Sequence, residues 1–525
     1  MKFRSARILP PLVIFALSLP LLGAPRLELK TAQGKVQGKA SSDGQVREFL
    51  GIPYAAPPVG PLRWKPPQPA EKWKGVLSAT AFGKHCMQFA SFSDMIFRDA
   101  GESEDCLTLN VWAPADAHGK LPVMVWIYGG GFSAGGTSEA RQDGENLAKR
   151  GIVVVSMNYR LGIFGFLALP ALAEESPEHA AGNYGLMDQT AALRWVQQNI
   201  GAFGGDAKNV TIFGQSAGSI SVSAQMASPL GQGLFARAIG ESGGAFASQG
   251  SLTFQALATS ERQQEPFVEK TFGGNLEALR AVSADDLVKA VTRKVPGTPI
   301  PHFGPNVDGL FLPESIPAIY AEGRQAHIPV LAGWMKDEGT SGIVQGRTMP
   351  TVESLRTMAQ TEFGPRADEF LHAYAAANDE EAVRVAEDYA GDRFIAYSTW
   401  AWLDAQVKTG GAPVYRYSFD LGSPGDPNHR VSFGAFHSDD IEYVFGNLNF
   451  RKGAAWRPED YKLSELMQTY WTNFARTGNP NGGGVPNWPV YQPPDWQVMH
   501  LGADSSARPD QHRDRYVFLQ QAWNR

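Results

Sequence analysis

The chain has little cysteine, little histidine and no long block of like charge, and each shortage removes a class of function. Its 525 residues include only two cysteines and ten histidines, too thinly spread for the Cys/His clusters that hold zinc. Acidic residues outnumber basic ones 53 to 47, a net charge of -6 without runs of either sign, so nothing draws the molecule to nucleic acid. No internal repeat or Gly/Ser-rich linker divides it. The most apolar stretch, Ile8 to Leu22, falls short of the roughly 20 residues of a membrane span and contains Pro10, Pro11 and Pro20. Preceded by Lys2, Arg4 and Arg7 and ending near Gly23-Ala24, it reads as an export signal over residues 1–24 rather than a membrane anchor, leaving 25–525 as one domain. Export to the periplasm or medium makes Cys86 and Cys106, set in loop-like sequence, a disulfide rather than two buried thiols.

Apolar strand-like runs fill much of the rest. Leu107 to Trp112, Val123 to Tyr128, Ile152 to Met157, Val210 to Phe213, Phe235 to Ile239, Ile328 to Gly333 and Tyr415 to Phe419 recur along the chain. Several are too uniformly apolar to have one wet face, as expected of parallel strands covered on both sides. Between them, Leu186 to Ile200 places Leu186, Thr190, Leu193, Val196 and Ile200 near one helical face and leaves Asp188, Gln189 and Gln197 for the other, with Gly201 at its end. This alternation predicts a doubly wound α/β core. Pro53 to Pro69 reads as an irregular surface wrap, and Ser251 to Pro301 and Ala367 to Ala390 as helical insertions.

The β-branched run ending at Phe213 passes directly into Gly214-Gln215-Ser216-Ala217-Gly218 and then into a helix-compatible segment. A sharp strand-to-helix turn strains the serine backbone and crowds its neighbours, so residues without a Cβ flank a serine that is presented at a helix N-terminus. The pattern recurs at Gly240-Glu241-Ser242-Gly243-Gly244, after Phe235 to Ile239. The segment beyond that copy, Ala245 to Ser251, lacks a clear helical period. The required order of strand, turn and helix therefore selects Ser216 as a nucleophile and leaves Ser242 as a structural neighbour.

A glycine cluster, Tyr128-Gly129-Gly130-Gly131-Phe132, ends the run from Val123. It has neither the Gly-x-Gly-x-x-Gly spacing nor the Lys-Ser/Thr pair of phosphate loops. It suits an oxyanion hole, in which the N–H groups of Gly130 and Gly131 join that of Ala217, the residue after the nucleophile.

Other segments stand around these two in a definite order: Phe49 to Gly60, Ser103 to Trp112, Asn158-Tyr159-Arg160, Gly182 to Gln189, Phe203 to Asp206 and Trp471 to Asn481. Together they resemble the type B carboxylesterases, a family that includes cholinesterases, bacterial carboxylesterases and the non-catalytic neuroligins. The resemblance implies an α/β-hydrolase fold: a doubly wound, mostly parallel central sheet with helical insertions and a small N-terminal sheet. It also implies hydrolysis of a small-molecule ester with no metal or organic cofactor. His437, in Gly434-Ala435-Phe436-His437, matches the family's catalytic histidine segment, whereas His85 beside a cysteine has no such context. The orienting acid is Glu338, the carboxylate immediately before Gly339, with Asp337 as the alternative. By the same resemblance Glu104 pairs with Arg63, Arg160 with Asp392, Ser242 is the second buried serine, and Phe303 borders the acyl pocket. A non-catalytic adhesion relative is the competing reading, and the intact Ser216, Glu338, His437, Gly130 and Gly131 weigh against it.

Two departures from the family pattern bear on substrate charge. Position 215 holds Gln where the family commonly has Glu, and the loop from Cys86 to Cys106 holds Phe89, Phe92 and Phe97 but no Trp. Without that anion and that ring, capture of a cationic alcohol loses its two attractions. The expected substrates are uncharged or anionic esters, with the three phenylalanines packing the loop.

Overall fold

The apolar runs assemble into an 11-stranded sheet. In chain order its strands are β1 (Lys39–Ala40), β2 (Val46–Pro53), β3 (Thr108–Pro114), β4 (Leu121–Ile127), β5 (Val153–Met157), β6 (Gly205–Gln215), β7 (Arg237–Glu241), β8 (Val330–Met335), β9 (Val414–Phe419), β10 (Gln497–Leu501) and β11 (Ser506–Pro509). They lie side by side as β1-β2-β3-β5-β4-β6-β7-β8-β9-β10-β11. From β5 across to β10 all neighbours are parallel, and antiparallel strands finish both edges. Every residue of β5 and β8 is buried, so both faces of these strands are covered, as their uniform hydrophobicity predicts.

The computed structural model describes residues 26–523 apart from 90, 91, 93, 118, 251, 294–298, 340–348, 423 and 425–433. The export signal expected over 1–24 lies outside the described residues. Among those described, no helix is long and apolar enough to cross a membrane.

The small N-terminal sheet consists of Glu28–Lys30, Lys35–Gln37 and Val76–Ser78. The Pro-rich wrap contains a short helical turn, Gly60–Leu62, and the two insertions are helical, with Leu257–Phe272, Leu276–Ala281 and Ala284–Thr292 in one and Ala367–Ala373 and Asp379–Gly391 in the other. Cys86 and Cys106 are bonded and buried. Arg63 clamps Glu104 through Nε–Oε1 at 2.7 Å and Nη2–Oε2 at 2.5 Å, and its Nη1 donates to the carbonyls of Arg280 and Val282. This pair ties the disulfide loop to the helical insertion.

The helix predicted from Leu186 is α1 (Tyr184–Asn199), which tightens into a turn over Ile200–Phe203 and ends at left-handed Gly204, φ 97°, rather than at Gly201. Its second face is wet only in part, at half-buried Gln197. Asp188 and Gln189 are fully buried, because Asp188 receives Arg160 and Gln189 donates to Ser221 Oγ at 3.0 Å.

Candidate active site

The elbow forms where sequence placed it. β6 ends at Gln215, α2 (Ala217–Ala227) begins at once, and Ser216 between them is held at φ 56°, ψ -124°, a conformation costly for a residue with a side chain. Its N–H is fixed by the Glu241 carbonyl on β7 at 2.8 Å. A Cβ at Gly218 would lie 1.9 Å from the Ile127 carbonyl oxygen, and one at Gly214 would lie 2.6 Å from that oxygen and from the Gly218 carbonyl carbon. The two glycines therefore let helix and strand approach closely enough to tighten the turn. Ser216 itself is only half-buried.

Ser242 turns with the same sign, φ 53°, but no helix comes after it and it is completely buried. Its hydroxyl donates to Glu338 Oε1 at 2.5 Å. The second copy of the motif thus points its serine into the support of the first.

His437 Nε2 stands 2.9 Å from Ser216 Oγ, and its Nδ1 is 2.6 Å from Glu338 Oε2. Glu338 lies just beyond β8, and Oε1 also accepts the Met335 N–H at 3.0 Å. With Glu338 ionised, Nδ1 carries the proton and Nε2 is free to take one from the serine. Phe394 packs edge-on against the imidazole with ring centroids 4.9 Å apart. Burial opposes charging of His437, but the Glu338 carboxylate, followed by Asp440 and Asp439, outweighs it and raises its pKa above the ordinary imidazole value.

Asp337 has another duty. Its Oδ2 accepts the Ala435 N–H at 2.8 Å and its own N–H donates to the Ala435 carbonyl at 3.0 Å, stitching down the loop that carries His437. His85 bonds Asp99 at 2.8 Å and stacks on Phe97.

The glycine cluster runs alongside the elbow. Gly130 and Gly131 have φ 108° and 62°, and a Cβ at Gly129 would fall 2.6 Å from the Gln215 carbonyl oxygen and 2.9 Å from Ser216 Cβ. Among the described residues, the N–H groups of Gly130, Gly131 and Ala217 meet no protein acceptor. Gly131 opens onto a cavity of about 340 Å³ walled by Leu161, Phe164, Val288, Ile300 and Phe303. Among the described lining residues only His302 is ionisable, and its crowded surroundings lower its pKa, so it is neutral near pH 7. Gln215 places Nε2 3.3 Å from His437 Nε2.

A serine, an imidazole and a carboxylate in series beside free backbone donors are equipped for acyl transfer. The sequence model of the carboxylesterase family matches residues 25–518. The chain belongs to that family. It is 38% identical over 483 residues to the fumonisin B1 esterase of Sphingopyxis macrogoltabida, covering 89% of this chain and 85% of that protein. It is 37% identical over 496 residues to the para-nitrobenzyl esterase of Bacillus subtilis strain 168, covering 92% and 96%. A solved PNB esterase structure superposes with a TM-score of 0.79 at 35% identity, over 93% of this chain and 98% of that one. The protein is a carboxylic ester hydrolase with the α/β-hydrolase fold.

In this carboxylesterase one expected ion pair is replaced by another. Arg160 does not reach Asp392; it grips Asp188 through Nε and Nη2, both at 2.8 Å, and through its backbone N–H at 3.1 Å. Asp392 instead accepts the Tyr374 hydroxyl at 2.7 Å, and burial pushes its pKa up to about 6 despite Arg515. Phe303 borders the cavity beside Gly131. The loop phenylalanines divide: Phe97 packs on His85, Phe89 lines the cavity and Phe92 is exposed. Sequence reasoning missed Asp440, although it lies three places after His437, and Glu241, which sits inside the second copy of the serine motif.

Proposed function

We propose that this carboxylesterase cleaves esters through an acyl-enzyme on Ser216. His437 takes the Ser216 proton as the oxygen attacks the ester carbonyl, and Glu338 holds the imidazole in the tautomer this requires. The N–H groups of Gly130, Gly131 and Ala217 receive the tetrahedral oxyanion, each such donor contributing about 3 kcal/mol to the transition state. His437 then protonates the leaving alcohol, and water repeats the sequence to free the acid. The observation that carries this reading is the unbroken series Ser216 Oγ, His437, Glu338, at 2.9 and 2.6 Å.

The preferred esters are without a cationic group. The apolar cavity beside Gly131, the neutral His302 and the amide at Gln215 support this, and an aromatic or short aliphatic group matches the cavity's walls and about 340 Å³ volume. Residues 1–24 direct export to the periplasm or medium, supported by the basic and apolar pattern of Lys2 to Leu22 and by the Cys86–Cys106 bond. Sequencing the N-terminus of the mature protein in cell fractions tests the export.

The chemical test is labelling with a fluorophosphonate alongside 4-nitrophenyl butyrate turnover. Ser216→Ala should abolish both. Undiminished turnover in that variant overturns the assignment, and preferential turnover of butyrylcholine over a neutral ester of similar size overturns the substrate reading.

A further inference from the structure

Beneath the relay lie two carboxylates that the proposed mechanism does not use. Glu241 ends β7, and its carbonyl is the group that fixes the Ser216 N–H. Asp440 lies three positions after His437, just before α3 (Ile441–Phe445). Both are fully buried. Each has one satisfied oxygen: Glu241 Oε1 accepts the indole N–H of Trp471 at 2.8 Å, and Asp440 Oδ2 accepts the Tyr417 hydroxyl at 2.9 Å. The Trp471 and Tyr417 rings pack edge-on with centroids 5.4 Å apart, and Tyr417 feels the charge of both carboxylates, so the four side chains form one buried polar cluster. Glu241 Oε2 and Asp440 Oδ1 meet no donor among the described residues.

Two interacting buried carboxylates, each with an orphan oxygen and neither paired with a cation among the described residues, do not both stay ionised. Burial, and then the charge on Asp440, push Glu241 well above the usual carboxylate range. Burial pushes Asp440 up to about 7; the Tyr417 hydrogen bond and the His437 charge pull it down, and the Glu338 charge pushes it up. Among the described residues, Asp439 is a further charged group that acts on His437, and Arg451 faces it at 3.6 Å.

We propose that Glu241 and Asp440 hold one proton between them and present a single negative charge near His437 that stabilises the imidazolium formed when Ser216 is acylated. Neither residue touches the substrate; both are positioning residues acting through the histidine, and the inference rests on the reading of His437 as the base. Protonating the pair a second time removes that charge from beside His437, whose own proton it helps to hold. The acid limb of kcat/KM therefore reports two interacting ionisations rather than one.

Isosteric variants separate this from a merely structural role, because the proposal requires them to differ. Asp440→Asn removes the charge, so the acid limb should move down by about one pH unit, with a several-fold lower kcat at pH 8. Glu241→Gln supplies an amide donor to Asp440 and keeps it ionised, so the limb should hold its position or move up and reduce to a single ionisation. Infrared difference spectra at pH 8 should show a protonated-carboxyl C=O band that Glu241→Gln removes. Should Asp440→Asn fail to fold, Tyr417→Phe deletes only the hydroxyl donor and should move the uptake of the second proton to higher pH. Rates are taken per fluorophosphonate-labelled site. An acid limb unmoved by Asp440→Asn, or by Tyr417→Phe in its place, overturns the proposal, as does a carboxyl band that survives Glu241→Gln. Failure of wild-type labelling would instead sink the Ser216 reading, while the infrared result would still decide whether the proton is shared.

Discussion

Replacing Ser242 by alanine tests the Glu338 seat through a single hydroxyl. Glu338 Oε2 faces the imidazole, and Oε1 rests on two donors, Ser242 Oγ at 2.5 Å and Met335 N at 3.0 Å. A hydrogen bond to a charged acceptor contributes roughly 1.5–3 kcal/mol. Because the Met335 N–H remains, the lower end applies, and about 1.4 kcal/mol is tenfold in rate. The loss should fall on kcat, since the orientation of the carboxylate matters most when the imidazole is charged, and Ser242 is not among the cavity's lining residues. The φ of 53° at this position is unchanged by alanine, so the backbone strain is carried equally by both proteins. The assay is kcat and KM for 4-nitrophenyl butyrate across pH, with enzyme concentration from a fluorophosphonate titre. A kcat within twofold of wild type, or a loss confined to KM, refutes the claim that Ser242 holds the acid in place.

Gly129→Ala should lower kcat about a hundredfold or more, the cost of displacing oxyanion donors, because its Cβ would meet Gln215 O at 2.6 Å and Ser216 Cβ at 2.9 Å; a near-wild-type rate would show that the loop yields freely. Since the neighbouring carboxylates outweigh burial at His437, kcat/KM should fall with acid at a midpoint above the ordinary imidazole value of about 6.5, and a midpoint below it would contradict that balance. Asp188→Asn leaves Arg160 buried with half its support, and should cost about 3–5 kcal/mol of stability, read as a lower urea midpoint with the per-site rate constant of the folded enzyme retained.

The parts of the site readable from sequence are those fixed by backbone chemistry. Ser216 was separable from Ser242 because one glycine-flanked serine needs a helix after it, and the structure supplies that helix at Ala217–Ala227 and none after Ser242. The sheet was legible in its centre, where β5 and β8 are buried on both faces, and not at its margins. β2 is interrupted by Gly51 and a register shift between Phe49 and Ile52, and β11 is the polar tetrapeptide Ser506–Pro509; neither displays a strand period. The error at Asp188 and Gln189 has a related cause. A polar residue on a helix face reads as solvated until its partner is known, and the partner of Asp188 is 28 positions away in sequence, at Arg160. Pairings across such distances leave no local pattern, which is why the resemblance gave Arg160 the wrong carboxylate and why Glu241 and Asp440 went unnoticed as neighbours.

The same geometry separates the strength of the base from the choice of substrate. Gln215 lies 3.3 Å from His437 Nε2, on the ring's serine side, whereas Glu338 lies on the opposite nitrogen and both Glu241 and Asp440 are fully buried. An anion at 215 would act on the imidazole and on the leaving alcohol together. With an amide there, the charge proposed for Glu241 and Asp440 supports the histidine while position 215, on the serine side, adds none. Gln215→Glu should therefore change two properties at once. The acid limb should rise by about one pH unit, as a new carboxylate stabilises the imidazolium. Turnover of butyrylcholine should rise relative to 4-nitrophenyl butyrate, with salt reducing the gain because the attraction is electrostatic. A shifted acid limb with unchanged discrimination would show that position 215 governs the base alone, and that the cavity walls set the preference for uncharged esters.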